Sequence, residues 1–126
     1  QMKPEKLFLI TSVYDEGVYD SDFHVVQAES RIAIAQHMLD HPNQWQNYLT
    51  RARPRNWQDP SFQVGSLWDC TQASEMNAER FLELIDMTDV DGDSDSQLRI
   101  FEVTIEQLSE VDTDPFKSSV VPIVRL

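Results

Sequence analysis

The chain has 126 residues, the length of one ordinary domain, and 40% of them are apolar, so a sizeable core is expected. Its 22 acidic and 10 basic residues give a net charge of -12, which argues against broad contact with nucleic-acid backbones or anionic membranes. The single cysteine excludes an internal disulfide framework, and the apolar run at 7–10 is too short for a signal or membrane-spanning segment, so we expect a cytoplasmic protein.

Two strands are predicted near the N-terminus. Gln1 precedes a methionine that we interpret as the native start, so the predicted single domain spans residues 2–126. Residues 6–14 are apolar and rich in β-formers, which predicts a central strand. Turn formers fill 15–21, and residues 22–28 again favour a strand. The two strands are therefore predicted to pair as an antiparallel hairpin.

The hydrophobic period changes after Ser30, a residue that can cap a helix. Pro42 should end or kink this helix because it lacks an N–H group and clashes with the preceding turn. A second short helix is predicted at about 43–52. The apolar residues of the first helix recur at three- and four-residue spacing and are Ile32, Ala35, Met38 and Leu39.

Residues 53–66 are predicted to form an irregular loop, because Pro54, Pro60 and Gly65 interrupt any regular pattern. An edge strand through Phe62, Val64 and Trp68 is the alternative. The next helix is predicted to begin after a Ser74 cap, with an apolar stripe that consists of Ala78, Phe81, Leu82 and Ile85.

Strand character returns at 97–108, where alternating residues predict one face in contact with water. Residues 120–124 form a possible last strand, which Pro122 restricts to an edge or a bulge. The order of elements predicts an α+β fold, with a small, mostly antiparallel sheet and two or three helices packed on one face. The residues expected to be buried together are Leu9, Ile32, Phe81 and Val103.

Negative charge is concentrated in the second half of the chain. Residues 1–63 hold eight acids and six bases, a net charge of -2, whereas residues 64–126 hold fourteen acids and four bases, a net charge of -10. We predict an acidic surface on the third helix, which is either a solvated face or a surface that engages a basic partner. Its residues are Glu75, Glu79, Glu83 and Asp86.

Residues 91–102 resemble the calcium-binding loop of an EF-hand. Acids stand at loop positions 1, 3 and 5 and a glutamate at position 12, and such oxygens suit Ca²⁺. The alternative is an acidic loop at 88–96 that connects a helix to a strand, because Ser96 replaces the usual glycine and no second helix follows. The candidate ligands are Asp91, Asp93, Asp95 and Glu102.

A segment rich in arginine and aromatic residues occupies the middle of the chain. These residue types dominate interface hot spots, so the segment is predicted to bind another protein. The alternative is that its aromatics complete the core while its arginines pair with nearby acids. A weak homodimer through the same segment is also predicted, whereas nucleic acid is disfavoured by the net charge. The candidate residues are Trp45, Tyr48, Arg51, Arg53, Arg55 and Trp57.

No pattern in the chain favours catalysis. His37 and His41 have the spacing of a metal pair, but Met38 stands where a zinc protease has its glutamate, so a structural role is preferred. Asp69 should raise the thiol pKa of Cys70 and suppress thiolate. We expect no enzyme and no cofactor apart from the candidate Ca²⁺.

Three classes of function therefore remain open. The first is a small adaptor or regulator that acts through protein contacts, and it is preferred. The second is a calcium-responsive domain that uses the loop at 91–102. The third is an inhibitor whose acidic surface mimics nucleic acid for a basic partner.

Overall fold

The computed structural model describes residues 6–14, 22–55, 65–90, 96–104 and 123–125. The turn at 15–21 and most of the two predicted loops lie outside these ranges. The elements, in chain order, are β1 (Lys6–Tyr14), β2 (Asp22–Ala28), α1 (Arg31–Asp40), a 3-10 helix (Pro42–Trp45), α2 (Gln46–Leu49), α3 (Leu67–Cys70), α4 (Ala78–Asp86), β3 (Ser96–Val103) and β4 (Ile123–Arg125).

The strands form one sheet in the order β3-β1-β2-β4. β1 runs antiparallel to both of its neighbours, with Ile10 opposite His24 on one side and Ile100 on the other. β4 pairs in parallel with β2 and lies at the edge. The predicted hairpin and the predicted α+β class are both confirmed.

Local signals explain where α1 begins and ends. The Ser30 hydroxyl accepts a hydrogen bond from the Ala33 N–H at 3.1 Å, as expected for an N-cap. The helix ends at Asp40, two residues before Pro42. Pro42 then begins the 3-10 helix, where a missing N–H group costs nothing. The helix predicted at 43–52 is thus divided into the 3-10 helix and the single turn of α2.

The start of α4 differs from the prediction. Its N-cap is Asn77, whose side-chain oxygen accepts from the Arg80 N–H at 2.8 Å, rather than Ser74. Asn and Ser are equivalent caps, so residue type alone does not choose between them. Trp68 lies in α3 instead of a strand. The N-cap of this helix is Ser66, whose N–H donates to the Asp69 carboxylate at 3.1 Å.

The core lies between the helices and one face of the sheet, which we call the inner face. Phe8, Ile10 and Ser12 of β1 point to this side and are buried. Leu98 and Ile100 lie beside them on β3. The largest fully buried side chains of the core cluster are Phe8, Ile10, Val26, Ile34, Met38, Leu49, Leu67, Phe81, Leu84, Ile85 and Leu98.

The predicted core is correct for Phe81 and wrong for Ile32, which is 44% exposed. Leu9 and Val103 are only half-buried, and neither belongs to the core cluster. Leu9 was misassigned because the apolar run at 7–10 supplies side chains to both faces of β1. Alternation within β3 then leaves two ways to orient that strand, and pairing with β1 directs Leu98 and Ile100 inward.

Candidate interaction surface

The opposite, outer face of the sheet carries an apolar patch. Leu7 stands opposite Val103 and Leu9 opposite Phe101, and Val13 lies further along β1 on the same face. We call these five residues the outer patch. Phe101 is 50% exposed and Val13 is 36% exposed, while the other three are half-buried. Among the described residues, no member of the outer patch belongs to the core cluster.

Exposure changes across this face. Val25 of β2, which pairs with Leu9, is buried, whereas Phe101 on the other side of Leu9 is half exposed. The accessible apolar area therefore lies toward β1 and β3. Neighbouring apolar side chains on paired strands make it continuous, unlike a single exposed residue such as Ile32.

The outer face bears no carboxylate at the described positions of β1, β2 and β3, although the chain has a net charge of -12. A molecule that contacts the face at these positions therefore meets no carboxylate. Among these positions of β1, β2 and β3, the one charged residue is Arg99, whose guanidinium donates to the Ile85 carbonyl and the Thr88 hydroxyl at 3.1 and 2.9 Å. On β4, Arg125 stands opposite Gln27 in the strand register. The remaining positions are Thr11, Phe23, Gln27 and Gln97.

The outer edge of β3 is closed by other parts of the fold. The Ser96 N–H donates to the Arg51 carbonyl at 2.9 Å, and the Leu98 N–H donates to the Thr88 hydroxyl at 2.8 Å. The Arg31 guanidinium donates to the Ile100 carbonyl at 3.0 Å. These contacts occupy backbone groups that an added strand would need. Between residues 96 and 100, β3 therefore has few backbone groups left for hydrogen bonds with an added strand.

The aromatic residues of the predicted interaction segment lie inside the protein. Trp45 and Tyr48 are buried in the core cluster, and Trp68 packs against that cluster. Trp57 lies outside the described residues. The described aromatics of this segment thus complete the core, which was the alternative interpretation, and Trp45 and Tyr48 offer almost no surface to a partner.

The arginines of that segment lie beside the sheet. Arg51 and Arg53 are exposed and alternate with buried Ala52 and Pro54, and Arg55 is half-buried. Ala52 bridges to Ser96, and Pro54 bridges to Thr88. None of the three arginines is without an interaction partner. Their role in binding, and in a homodimer, stays a prediction.

All four residues of the predicted acidic surface are exposed, but the structure offsets part of its charge. Glu75 precedes α4, whereas Glu79, Glu83 and Asp86 lie within it. Glu83 pairs with Arg80 at 3.1 Å. Asp86 pairs with Arg31 at 2.6 Å, and this second pair also joins α4 to α1. The surface is less anionic than the sequence alone indicates.

The candidate calcium ligands are described only at one end. Asp91, Asp93 and Asp95 lie outside the described residues. Glu102 is exposed in β3 and pairs with Lys6 at 3.2 Å. β3 takes the place of the second helix of an EF-hand. Calcium binding at 91–102 stays a prediction.

A cluster of histidine and aromatic side chains joins β2, α1 and the helices at 42–49, and sequence patterns did not reveal it. It contains all three histidines of the chain. The Trp45 indole N–H donates to His37 Nδ1 at 2.9 Å, and the Tyr48 hydroxyl is hydrogen-bonded to His24 Nδ1. The rings of His37 and His41 are 4.6 Å apart. The sequence shows the helical spacing of 37 and 41, but only tertiary structure brings His24 to Trp45 and Tyr48.

Burial, and to a lesser extent the neighbouring His41, lowers the pKa of His37, while Asp40 opposes this shift. The bond from Trp45 requires a lone pair on Nδ1, so the neutral ring carries its proton on Nε2. With this bond in place, neither ring nitrogen has a free lone pair for a metal. Within the described ranges, no group of three or more His, Cys, Asp or Glu side chains is placed to hold a metal ion.

Cys70 is buried, and its environment suppresses thiolate. Burial and then the neighbouring Asp69 raise the thiol pKa to about 11. The sequence predicted the Asp69 contribution, whereas burial, the larger cause, came from the fold. A thiol with this pKa is almost fully protonated at neutral pH and is a poor nucleophile.

None of the described helices is both long and apolar enough to cross a membrane. Comparison of the chain with protein-family models, curated proteins and solved structures finds no match.

Proposed function

We propose that this chain is a non-catalytic protein-interaction domain whose outer patch receives an apolar segment flanked by basic residues. The observation that carries the proposal is the half-exposed Phe101, which lies among apolar neighbours on a sheet face that has no carboxylate at the described positions of β1–β3. A large aromatic side chain surrounded by smaller apolar ones has the composition of an interface centre.

The charge of the chain supports the choice of a basic partner. The net charge of -12 attracts cations and repels anions at long range, whereas the outer patch itself is uncharged. Asp15, Glu16 and Asp20 follow β1 in the sequence. A partner with an apolar centre and a basic rim fits this combination.

The closed edge of β3 supports binding by side chains rather than by strand addition. Arg51, Thr88 and Arg31 already engage backbone groups of this edge. The affinity of the domain would then depend on the outer patch, and a single side chain there would have a large effect. Phe101 is the best candidate because it exposes the largest apolar side chain of the patch.

Selection of peptides from a random phage-displayed library on the folded protein tests this proposal without a known partner. We expect the selected peptides to carry aliphatic or aromatic residues flanked by Lys or Arg. Phe101→Ser should weaken their binding about 30-fold, which corresponds to about 2 kcal/mol. Ile32→Ser is the matched control, because Ile32 is similarly exposed but lies on α1. Higher salt should also weaken binding.

Several outcomes would contradict the proposal. Peptides that bind Phe101→Ser as well as the original protein would place the binding surface elsewhere. Peptides lost on Glu79→Lys and Glu83→Lys, but kept on Phe101→Ser, would favour the acidic surface and the nucleic-acid-mimicking alternative. Failure to select any peptide, together with strong destabilisation by Phe101→Ser, would show that another part of this chain already covers the patch.

A further inference from the structure

Two polar contacts of buried aromatic residues join the segment 42–49 to neighbouring elements of the fold. The Trp45 N–H donates to His37 on α1, and the Tyr48 hydroxyl bonds to His24 on β2. Both contacts end on the Nδ1 atom of an imidazole. The two histidines flank Trp45, with ring centroids 5.9 and 6.1 Å from the indole.

Protonation affects these two contacts differently. An indole N–H group can only donate, so a proton on His37 Nδ1 removes the acceptor and leaves two N–H groups facing each other. A tyrosine hydroxyl can donate or accept, so a protonated His24 can donate to Tyr48 with the roles reversed. The contact at His24 therefore survives protonation, whereas the contact at His37 does not.

The groups around His37 favour its neutral form. His41 lies beside it on α1, and a second positive charge there would repel the first. Asp40 provides the opposing attraction, although its carboxylate also accepts a hydrogen bond from Gln36 at 2.9 Å. Trp45 faces His37 from the 3-10 helix, and beyond it lie Tyr48 and His24.

We propose that the hydrogen bond between Trp45 and His37 is a proton-sensitive latch that fastens the segment 42–49 to α1 and opens when His37 is protonated. The latch is closed near neutral pH. Acidification through the pKa of His37, which lies below the ordinary 6.5, opens it and leaves the buried indole N–H without a partner. The segment then keeps its apolar contacts and the Tyr48 contact, so it loosens locally without unfolding of the chain.

The indole N–H resonance of Trp45, followed by NMR from pH 8 to pH 5, tests the latch. Loss of one resonance in Trp45→Phe assigns the signal. We expect this resonance to shift with a midpoint below 6.5 and its protection factor against solvent exchange to fall at least tenfold at the acidic end. A resonance that stays constant while the His37 ring titrates would overturn the proposal.

Three variants separate His37 from its neighbours. In His37→Gln, the amide oxygen can accept from the indole N–H but does not titrate, so the transition should disappear. His41→Gln should raise the midpoint, because the repelling neighbour is removed. His24→Gln should leave the transition in place. Persistence of the full transition in His37→Gln, or its loss in His24→Gln, would contradict the assignment.

The imidazole nitrogen shifts of the unaltered protein provide a measurement that does not depend on the folding of a variant. At pH 8, His37 should show an unprotonated, hydrogen-bonded Nδ1 and a protonated Nε2. The opposite tautomer would exclude the latch, because the indole would then have no acceptor.

Discussion

The two faces of the sheet contain similar apolar residues but meet different surroundings. Phe8 on the inner face is 1% exposed and packs with residues of the helices, whereas Phe101 on the outer face is 50% exposed. Phe8 lies in β1 and Phe101 in β3, and these two strands are hydrogen-bonded to each other. Apolar character within a strand therefore does not distinguish the core from a candidate interface, whereas the placement of the helices does.

The largest difference in stability is expected between variants of these two phenylalanines. Phe8→Ala should lower the free energy of unfolding by about 3–5 kcal/mol, because it empties a fully enclosed site. Phe101→Ala should lower it by less than about 1 kcal/mol, because the ring is already half in water. Urea unfolding of both variants measures the difference. Equal losses would show that the outer patch is a second core.

A second, smaller effect on stability is expected at the outer edge of β3. The buried Thr88 hydroxyl accepts from the Leu98 N–H and donates to the Ile85 carbonyl at 2.8 Å. Thr88→Val preserves the shape and leaves the buried Leu98 N–H without this acceptor, so we expect a loss of about 1–3 kcal/mol. Thr50→Val is the matched control, because its hydroxyl is exposed and donates to the Gln46 carbonyl. If both changes have the same small effect on stability, the Thr88 hydroxyl does not stabilise the edge of β3.

The pH dependence should differ between the two faces. The lowered pKa of His37 means that the unfolded chain takes up this proton first, so stability falls as pH falls from about 6.5 toward the folded-state pKa. One proton contributes at most about 1.4 kcal/mol per pH unit. The difference in unfolding free energy between the original protein and His37→Gln isolates this contribution. Peptide binding at the outer patch should lack any contribution from histidine, because its members do not titrate.

The smallest expected effect is at a polar position of the inner face. The Ser12 hydroxyl is fully buried and has no hydrogen-bond partner among the described residues. Ser12→Ala should therefore be neutral or stabilise the fold by about 1 kcal/mol, because an unsatisfied group is removed. Thr11→Ala, on the outer face of the same strand, is the control. A clear loss of stability in thermal unfolding of Ser12→Ala would indicate a partner for this hydroxyl.

Sequence patterns located most elements because their signals are local. The hairpin, the Ser30 cap and the end of α1 before Pro42 each depend on residues within a few positions of one another. The start of α4 was misplaced by three residues, because Ser74 and Asn77 are equally suitable caps. α3 was missed because its four residues contain too little periodicity for a pattern to emerge.

The outer patch and the histidine cluster were less predictable from the sequence, because both depend on contacts between residues that are distant in the chain. Trp45 and Tyr48 have the composition of an interface hot spot, yet the fold uses them in the core. Val103 was expected in the core because apolar and polar residues alternate along its strand, yet it lies with Phe101 in the outer patch. His24 and Tyr48 meet across 24 positions, a separation at which a single sequence contains no pairing signal.

The class of the fold, the main strands and helices and the strongly negative charge could be read from the sequence, because each follows from composition or from short-range periodicity. Contacts between distant residues set which side of each element is covered. β1 has apolar residues on both sides, so its own pattern permits either orientation. Pairing with β3 and packing of α1 and α4 bury Phe8 and Ile10, whereas Leu9 and Phe101 keep part of their surface exposed, because these two helices pack on the opposite face of the sheet.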